Sequence, residues 1–351
     1  MKLFRISLLL FCAVLFSSCV GEWMDRDCQG DFTLYFEFHP TGNPNPVQTF
    51  LTNVQTVDLF VYNEAGSLVW YRPSVGQHQM QSSRGATRSG RPGIDLPIGN
   101  GANELTPGNR YRVVAWGNVD RGAGRNSFEN QNQVNNARIR TAADSGTPLH
   151  FGPGALRGNA SGDFWVTIND TMDDEYAVLR FTRAHIEIQV FVAGASEVPR
   201  VDLDRVAGEI NFNNVVNNAN RILFTTPPSG MRAGFTPSVP GREQRPANYT
   251  SFYVPLFDED TDKMLEITNS LGLLPNGSVS IADVIAGTTP SNINVGIPAR
   301  LNLADTNNPV ETIQIVLEIA QDVESGYDVV VGIWLPGWIQ APVDPWNPPL
   351  W

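Results

Sequence analysis

Cys19 is the residue whose chemistry the sequence marks most clearly. Two cations within the first five residues precede an apolar run over residues 6–16, and the segment Phe16-Ser17-Ser18-Cys19 follows. This layout is typical of a bacterial secretory signal, but here the cleavage site ends on cysteine. The ending is similar to a lipobox, in which the thiol is acylated and the chain is cut before the cysteine. We therefore expect residues 1–18 to be a signal peptide and Cys19 to carry lipid.

The apolar run predicts attachment to a membrane rather than passage through it. A helix needs about 20 apolar residues to cross a bilayer, and residues 6–16 fall short of that length. The net charge of −12 gives no attraction to an anionic lipid surface, so the acylated cysteine would hold the protein alone. An ordinary secreted protein cut near Ser18 is the alternative.

Metal-binding signals are weak in the rest of the chain. Asp258, Asp260 and Asp262 mimic the first ligands of a calcium loop, but Lys263 stands where such a loop needs glycine. The four histidines are scattered and share no metal-ligand spacing: His39, His78, His150 and His185. We predict no metal site and no cofactor.

Catalytic signals are equally weak. Ser161 lies one position too late in its glycine-flanked segment to form a nucleophile elbow, and no strand-turn-helix pattern surrounds it. Spacing leaves open a carboxylate pair for glycoside hydrolysis, because such carboxylates meet only in the fold. The chain is predicted not to be an enzyme, and no catalytic residue is assigned.

The composition indicates an acidic protein whose folded state is stabilised by hydrophobic cores rather than by disulfide bonds. The net charge of −12 argues against nucleic-acid binding, since phosphate contacts need clustered lysines and arginines. After Cys19 the chain keeps one cysteine, Cys28, so it has no disulfide framework. A mature chain of roughly 330 residues is longer than a domain with a single hydrophobic core usually is, which predicts two domains of about 150 residues each.

Period-two alternation of apolar residues predicts strands along most of the chain. It is clearest where Phe32, Leu34, Phe36 and Phe38 alternate with more polar residues. It recurs in a hairpin over 57–71, after a turn at 105–109, and in segments 184–192, 313–319 and 327–333. A strand with one solvent-exposed face and one buried face is typical of stacked antiparallel sheets. The predicted fold class is all-β, with two tandem antiparallel β-sandwich domains.

Two local expectations accompany this fold class. His185 should lie on the wet face of its strand, beside Glu187. The best helix candidate is 261–271, where Met264, Ile267 and Leu271 could share a stripe.

Long polar stretches and an acidic break organise the chain. Residues 73–92 and 118–154 hold little to bury and are expected to be disordered loops. The acidic residues 173–175 suggest a domain boundary near residue 175. The expected division is a signal peptide over 1–18, a lipidated linker over 19–29, an N-terminal β-sandwich over 30–175, and a C-terminal β-sandwich over 176–351 with a tail rich in proline and tryptophan.

Several segments together resemble one protein family. They are the lipobox cysteine followed by Cys28, the strand beginning FTLYF at Phe32, the segment VQTVDLFVYNEAGSLV at 54–69, and the segment LTPGNRYRVVAWGN at 105–118. Residues 179–190 add a further likeness in the second half. The chain resembles the FimB-type anchor subunits of type V fimbriae from Gram-negative gut and oral bacteria. A stalk or tip subunit of the same superfamily fits the pattern as well.

The resemblance implies two transthyretin-like β-sandwiches and export to the outer membrane as a lipoprotein. It implies fimbrial shaft subunits as partners, joined by strand exchange, in which an extended segment of one subunit completes the sheet of the next. Stalk precursors of the family are cut after an arginine, which removes their first strand and opens the groove.

The arginines of this chain favour the anchor role within that family. Arg26 precedes the first strand, residues 40–53 contain no arginine, and the next arginine is Arg72, beyond the hairpin. The chain is therefore expected to keep its first strand, to fill its own groove, and to end the fimbrium at the membrane.

The C-terminal tail is a second candidate joint. Its apolar residues are broken by four prolines, which exclude a central strand position because proline lacks a backbone donor. The tail either folds back on its own domain or contacts a neighbouring subunit through Trp338, Ile339, Trp346, Leu350 and Trp351.

Two other functions remain open. A surface glycan-binding lipoprotein would stack sugar rings on tryptophans such as Trp70, Trp116 or Trp165. A fimbrial tip adhesin of the same fold is the other.

Overall fold

The computed structural model describes residues 32–38, 45–119, 126–141, 149–153, 164–169, 174–213, 215–226, 230–238, 243–255, 263–286, 294–296, 310–335 and 338–340. The helices are α1 (Pro46–Asn53), α2 (Gln77–Ser82), α3 (Arg84–Ser89) and α4 (Ile281–Ala286). The strands are β1 (Phe32–Phe38), β2 (Thr56–Tyr62), β3 (Leu68–Gly76), β4 (Gly93–Leu96), β5 (Arg110–Gly117), β6 (Ser127–Glu129), β7 (Arg138–Arg140), β8 (His150–Gly152), β9 (Trp165–Thr167), β10 (Glu175–Arg183), β11 (His185–Ala193), β12 (Arg200–Asn211), β13 (Val216–Phe224), β14 (Arg232–Phe235), β15 (Pro246–Pro255), β16 (Met264–Asn269), β17 (Gly272–Ser280), β18 (Asn294–Gly296), β19 (Val310–Gln321), β20 (Asp328–Trp334) and β21 (Trp338–Gln340).

The strands form three sheets. The first has the order β3-β2-β5-β8-β10-β1-β4, with β9 beside β5. The second has the order β14-β15-β11-β19-β20-β18, with β21 beside β19. The third has the order β17-β16-β12-β7-β6, with β13 beside β12. The all-β expectation is confirmed, although the first and second sheets are mixed rather than antiparallel throughout, since β1 with β10, β11 with β19 and β18 with β20 are parallel pairs.

Two hydrophobic cores follow the two halves of the chain. The first joins apolar residues of β1, β2, β5, β9 and β10 to Phe50 of α1 and Met80 of α2. The second lies between the second and third sheets, with Ile188 of β11, Leu203 of β12 and Ile315 of β19 among its fully buried members.

A third, aromatic core joins the halves. Phe60 and Trp116 from the first sheet meet Phe212, which directly follows β12. The ring of Phe60 lies 4.9 Å from that of Phe212, and the ring of Trp116 lies 6.0 Å from it. Strand β7, from the first half, also pairs with β12. The two halves therefore share packed apolar surface as well as backbone hydrogen bonds.

The change from the first sheet to the second comes at Ala184. The strand that begins at the expected boundary near residue 175, β10, pairs with β1 and β8 and so belongs to the first sheet. Ala184 separates its last residue from the first residue of β11, and it is fully buried in the aromatic core.

The helix expected at 261–271 is wrong. Residues 264–269 form β16, in which Leu265 and Ile267 are fully buried while the residues between them are half-buried. Pairing with β12 and β17 on both sides satisfies the backbone, so a period of two prevails over the helical stripe.

The disorder expected for the polar stretches is also wrong where the structure describes them. Residues 73–92 complete β3 and then form α2 and α3, while the stretch 118–154 contains β6, β7 and β8. Among the residues that the structure describes, no helix has the length and hydropathy to cross a bilayer.

Candidate functional site

The candidate site is the position of β1 within the first sheet. This strand pairs in parallel with β10 over seven residues and antiparallel with β4 over four. We call the space between β10 and β4 that β1 fills the β1 slot. All seven residues of the strand are buried. The wet face expected for this strand is therefore wrong, and both of its faces are covered.

The inner face of β1 packs into the first core. Leu34 and Phe36 are fully buried. The Phe36 ring lies 5.6 Å from that of Phe181 on β10, edge to face, and 5.5 Å from that of Phe50 on α1. Phe50 and Phe181 also contact each other, at 5.2 Å between ring centroids. Phe50 belongs to helix α1, which follows β1 in the chain. The helix begins at an asparagine cap with proline in its first turn, and both residues favour a helix start at this point.

The outer face of β1 is covered by α3, which together with the preceding α2 we call the lid. The Tyr35 hydroxyl donates to the Gly85 carbonyl at 3.2 Å, and the Thr33 hydroxyl donates to Asp95 Oδ1 at 2.9 Å. Asp95 also accepts from the backbone N–H groups of Arg84 and Gly85, at 2.7 and 3.2 Å. One carboxylate on β4 therefore ties the first turn of the lid to β1, where helix N–H groups favour negative charge.

Close approach and charge complete the contact between the lid and β1. A Cβ at Gly85 would lie 2.1 Å from Thr33 Oγ1, so the lid touches the strand where glycine has no side chain. Glu37, at the end of the same face, forms an ion pair with Arg91 at 3.3 Å and lies 3.8 Å from Arg180 of β10. Arg88 of the lid pairs with Asp174 just before β10.

Two histidines mark the joint where β1 ends and β10 passes into β11. His150 of β8 and His185 of β11 are both buried, with ring centroids 5.6 Å apart. Phe38 lies 5.5 Å from the His150 ring, and His185 Nδ1 lies 2.8 Å from the Leu149 carbonyl. Burial holds the pKa of His150 well below its usual value, and the nearby His185 and Arg183 lower it further. The surface position expected for His185 is wrong, because the two halves close over it.

The structure describes only some of the residues that the sequence predicts to bind a partner or a metal. Cys19, Trp346, Leu350 and Trp351 lie outside the described residues. The backbone of the segment containing Trp338 and Ile339 forms β21, which pairs antiparallel with β19 of the same chain. The calcium-like aspartates of 258–262 also lie outside the described residues. Within the described ranges, no three metal-ligating side chains come together.

Burial excludes one of the three tryptophans suggested for stacking on sugar rings. Trp116 is fully buried in the aromatic core, so it offers no face to a ligand. Trp165 is half-buried, and the Arg110 guanidinium lies 4.7 Å from its ring centroid. Trp70 is half-buried against the first core.

Sequence reasoning missed the lid and Asp95. Both depend on contacts between residues fifty or more positions apart in the chain, such as that between Tyr35 and Gly85. A local signal was present, since Ser83 at the cap and Gly90 past the end of α3 are ordinary helix boundaries. Residues 73–92 contain too few apolar residues to show helical periodicity, so these boundaries did not lead to a helix prediction.

Comparisons with known proteins agree with this architecture. A candidate adhesin from Bacteroides ovatus is similar in structure, with a TM-score of 0.55, 12% identity, and coverage of 89% of this chain and 95% of that one. A candidate polysaccharide-binding protein from Bacteroides thetaiotaomicron has a TM-score of 0.53 and 12% identity, covering 91% of this chain and all of that one. At such identity the likeness shows the fold alone.

The family is shown by a family model rather than by any single structure. The fimbrial anchor protein Mfa2 from Porphyromonas gingivalis aligns with a TM-score of 0.47 and 15% identity, covering 90% of this chain and 100% of that one. A search of curated protein sequences found no match. A family model for fimbrillin-A associated anchor proteins Mfa1 and Mfa2 matches residues 24–341. Since that match spans most of the sequence, the chain belongs to this family of fimbrillin-A associated anchor proteins and has an anchor-type role at the fimbrium.

Proposed function

We propose that this protein is a lipoprotein of the outer membrane that anchors a fimbrium and ends its assembly. Acylated Cys19 would hold the membrane end, and fimbrial shaft subunits would join the protein by β-strand complementation. The observation that carries the proposal is that the chain's own first strand fills the β1 slot.

A subunit that accepts a donor strand must present an open groove with unpaired backbone groups and an apolar floor. In this chain β1 pairs on both sides, and its inner face covers Phe181 and Phe50. The lid then covers the outer face through Gly85, and Asp95 of β4 bonds to both the lid and β1. A filled and covered slot accepts no further strand, which is the property required of a terminal subunit.

The chain between β1 and α1 favours retention of the strand. Residues 40–53 contain no arginine at which an arginine-specific protease could cut. Cleavage at Arg72, within β3, would remove β1 and β2 together, and with them Phe36, Leu59 and other core residues. We infer that the mature protein keeps β1.

The first experiment examines the mature N-terminus and the lipid. The protein is expressed in a Gram-negative host, with and without an arginine-specific protease, and labelled with an alkynyl fatty acid. We expect label on the wild type, none on Cys19→Ala, and no new N-terminus between residues 40 and 53. A new terminus in that interval would place the chain among the stalk subunits, and unlabelled wild-type protein would refute the anchor.

The joint to the shaft is proposed to include the tail. Trp338 and Ile339 stand at β21, and Trp346, Leu350 and Trp351 follow it, so these residues are the proposed subunit contacts. Deleting residues 342–351 should abolish retention of fimbriae on the cell while leaving Tm nearly unchanged. A large fall in Tm would instead indicate that the tail folds back on its own domain.

A further inference from the structure

We propose that a cleft lined by asparagines binds a neutral carbohydrate, independently of the anchoring function. The cleft lies between the turn that joins β6 to β7 and the turn that joins β12 to β13. Its volume is about 700 Å³, within the range of about 300–1,000 Å³ usual for small-molecule sites. Six asparagines dominate its lining: Asn130, Asn132, Asn135, Asn136, Asn211 and Asn217.

The charged groups of the cleft are engaged with each other. Glu209, 1% exposed, lies 3.3 Å from Arg138 and 3.6 Å from Arg140. Its carboxylate also accepts from the side-chain amides of Asn217 and Asn220, at 3.1 and 2.8 Å. Arg138 pairs in addition with Glu129 at 3.0 Å. The lining therefore offers no surplus cation to a phosphate or carboxylate, and anionic ligands are disfavoured.

The uncharged amides of the β6–β7 turn are available to a ligand. The side chains of Asn130, Asn132, Asn135 and Asn136 lie in exposed residues, and in the described part of the chain none of them hydrogen-bonds to protein. Each amide presents a carbonyl acceptor and two N–H donors. A sugar hydroxyl both donates and accepts, so a polyhydroxyl ligand matches these groups. Val215 is the one apolar residue of the lining, which disfavours apolar ligands.

The backbone that carries these amides is fixed by the fold. Leu68 N donates to the Asn132 carbonyl at 3.0 Å, and Val134 N donates to the Gly66 carbonyl at 2.9 Å. The hydroxyl of Tyr62 donates to the Gln131 carbonyl at 3.0 Å. Val134 is buried in the aromatic core beneath the turn. Donors and acceptors on a rigid backbone bind with less loss of conformational freedom than those on a loose loop.

The experiment is a titration of the purified full chain with maltotriose, xylotriose, tri-N-acetylchitotriose and, as an anionic comparison, trigalacturonic acid. Binding is followed by saturation-transfer NMR and calorimetry. The test variant is Asn132→Ala with Asn136→Ala. The matched control is Asn100→Ala with Asn103→Ala, two exposed asparagines outside the cleft.

We expect at least one neutral trisaccharide to bind saturably and the charged one to bind more weakly. The test variant should lose about tenfold or more in affinity, as expected when two hydrogen bonds to hydroxyls are removed, and the control should retain it. Absence of binding by all three neutral sugars, binding unchanged in the test variant, or preference for the anionic sugar would each overturn the proposal. Circular dichroism of both variants confirms that the fold is intact, and none of these outcomes bears on Cys19 or the β1 slot.

Discussion

β1 and β11, the first strands of the two halves, have the same kind of partner on one edge but differ on the opposite edge and on the outer face. β1 pairs in parallel with β10, and β11 pairs in parallel with β19, so each half places an early strand beside a late one. On the opposite edge, β11 pairs with β15 over nine residues, whereas β1 pairs with β4 over four. The outer face of β1 lies under the lid, while that of β11 carries a polar row in which Gln314 donates to Gln189 at 2.9 Å.

This difference bears on the proposed strand complementation. β11 continues from β10 through Ala184 and cannot leave its sheet without disturbing both halves. Separate elements hold β1 in place: α1 on the inner face, the lid on the outer face, and β4 at the edge. The contacts of the lid are therefore expected to help to retain β1 in its sheet.

The largest expected effect comes from truncating the inner face of β1. Phe36→Ala should lower the free energy of unfolding by about 3–5 kcal/mol, because a fully buried ring against Phe181 and Phe50 is removed. Ile188→Ala on β11 is the matched change, with about 2–5 kcal/mol expected. Denaturant titration measures both, and hydrogen exchange should accelerate mainly in the sheet that carries each change. Equal acceleration in both sheets would mean that the shared aromatic core unfolds them together.

Opening the lid should have the next largest effect. Gly85→Ala places a Cβ against Thr33, and this clash should destabilise the protein by about 1–3 kcal/mol even though alanine favours helices by about 1 kcal/mol. Gly76→Ala is the control, since no atom lies within 4 Å of its Cβ position. Limited proteolysis of the lid measures the result. Equal cleavage of the two variants would show that the lid does not rest on β1.

The joint between the halves should weaken in acid. Because the pKa of His150 is lower in the folded protein than its usual 6.5, the unfolded chain binds more protons as the pH falls below that value. The contribution of His150 to the free energy of unfolding should therefore be constant above pH 6.5. Below pH 6.5 the free energy of unfolding should decrease by up to about 1.4 kcal/mol per pH unit, until the pH reaches the pKa of His150 in the folded protein. Denaturation at several pH values measures the slope. His150→Phe should flatten it, and an unchanged slope would assign the effect to other groups.

The smallest effect is expected at the rim of the lid. Arg88 and Asp174 form an ion pair with both side chains more than half exposed, so Arg88→Ala should change stability by less than about 1 kcal/mol. Thermal unfolding at low and high salt measures it. A larger loss would mean that charge, rather than Asp95 and the close contact at Gly85, holds the lid.

Much of the strand content was predictable from residue periodicity. β1, the β2–β3 hairpin, β5, β11, β19 and β20 all lie where alternation predicted strands, because a half-buried strand repeats every two residues. The candidate site was less accessible. Thr33 and Glu37 look like solvent-facing residues by type, and their burial depends on Asp95, Gly85 and Arg91, which are distant in the sequence.

The sequence by itself determined the all-β class, the acidic character, the lipobox-like cysteine and the family, since each depends on local pattern or composition. Tertiary structure alone decided that the segment 84–89 covers β1, that His185 and Trp116 are buried, and that amides of the β6–β7 turn and of strands β12 and β13 line one cleft. The physical reason is that burial is a property of neighbours in space. A polar segment is stable against a strand when its backbone and carboxylates find partners there, and no local pattern records where those partners lie.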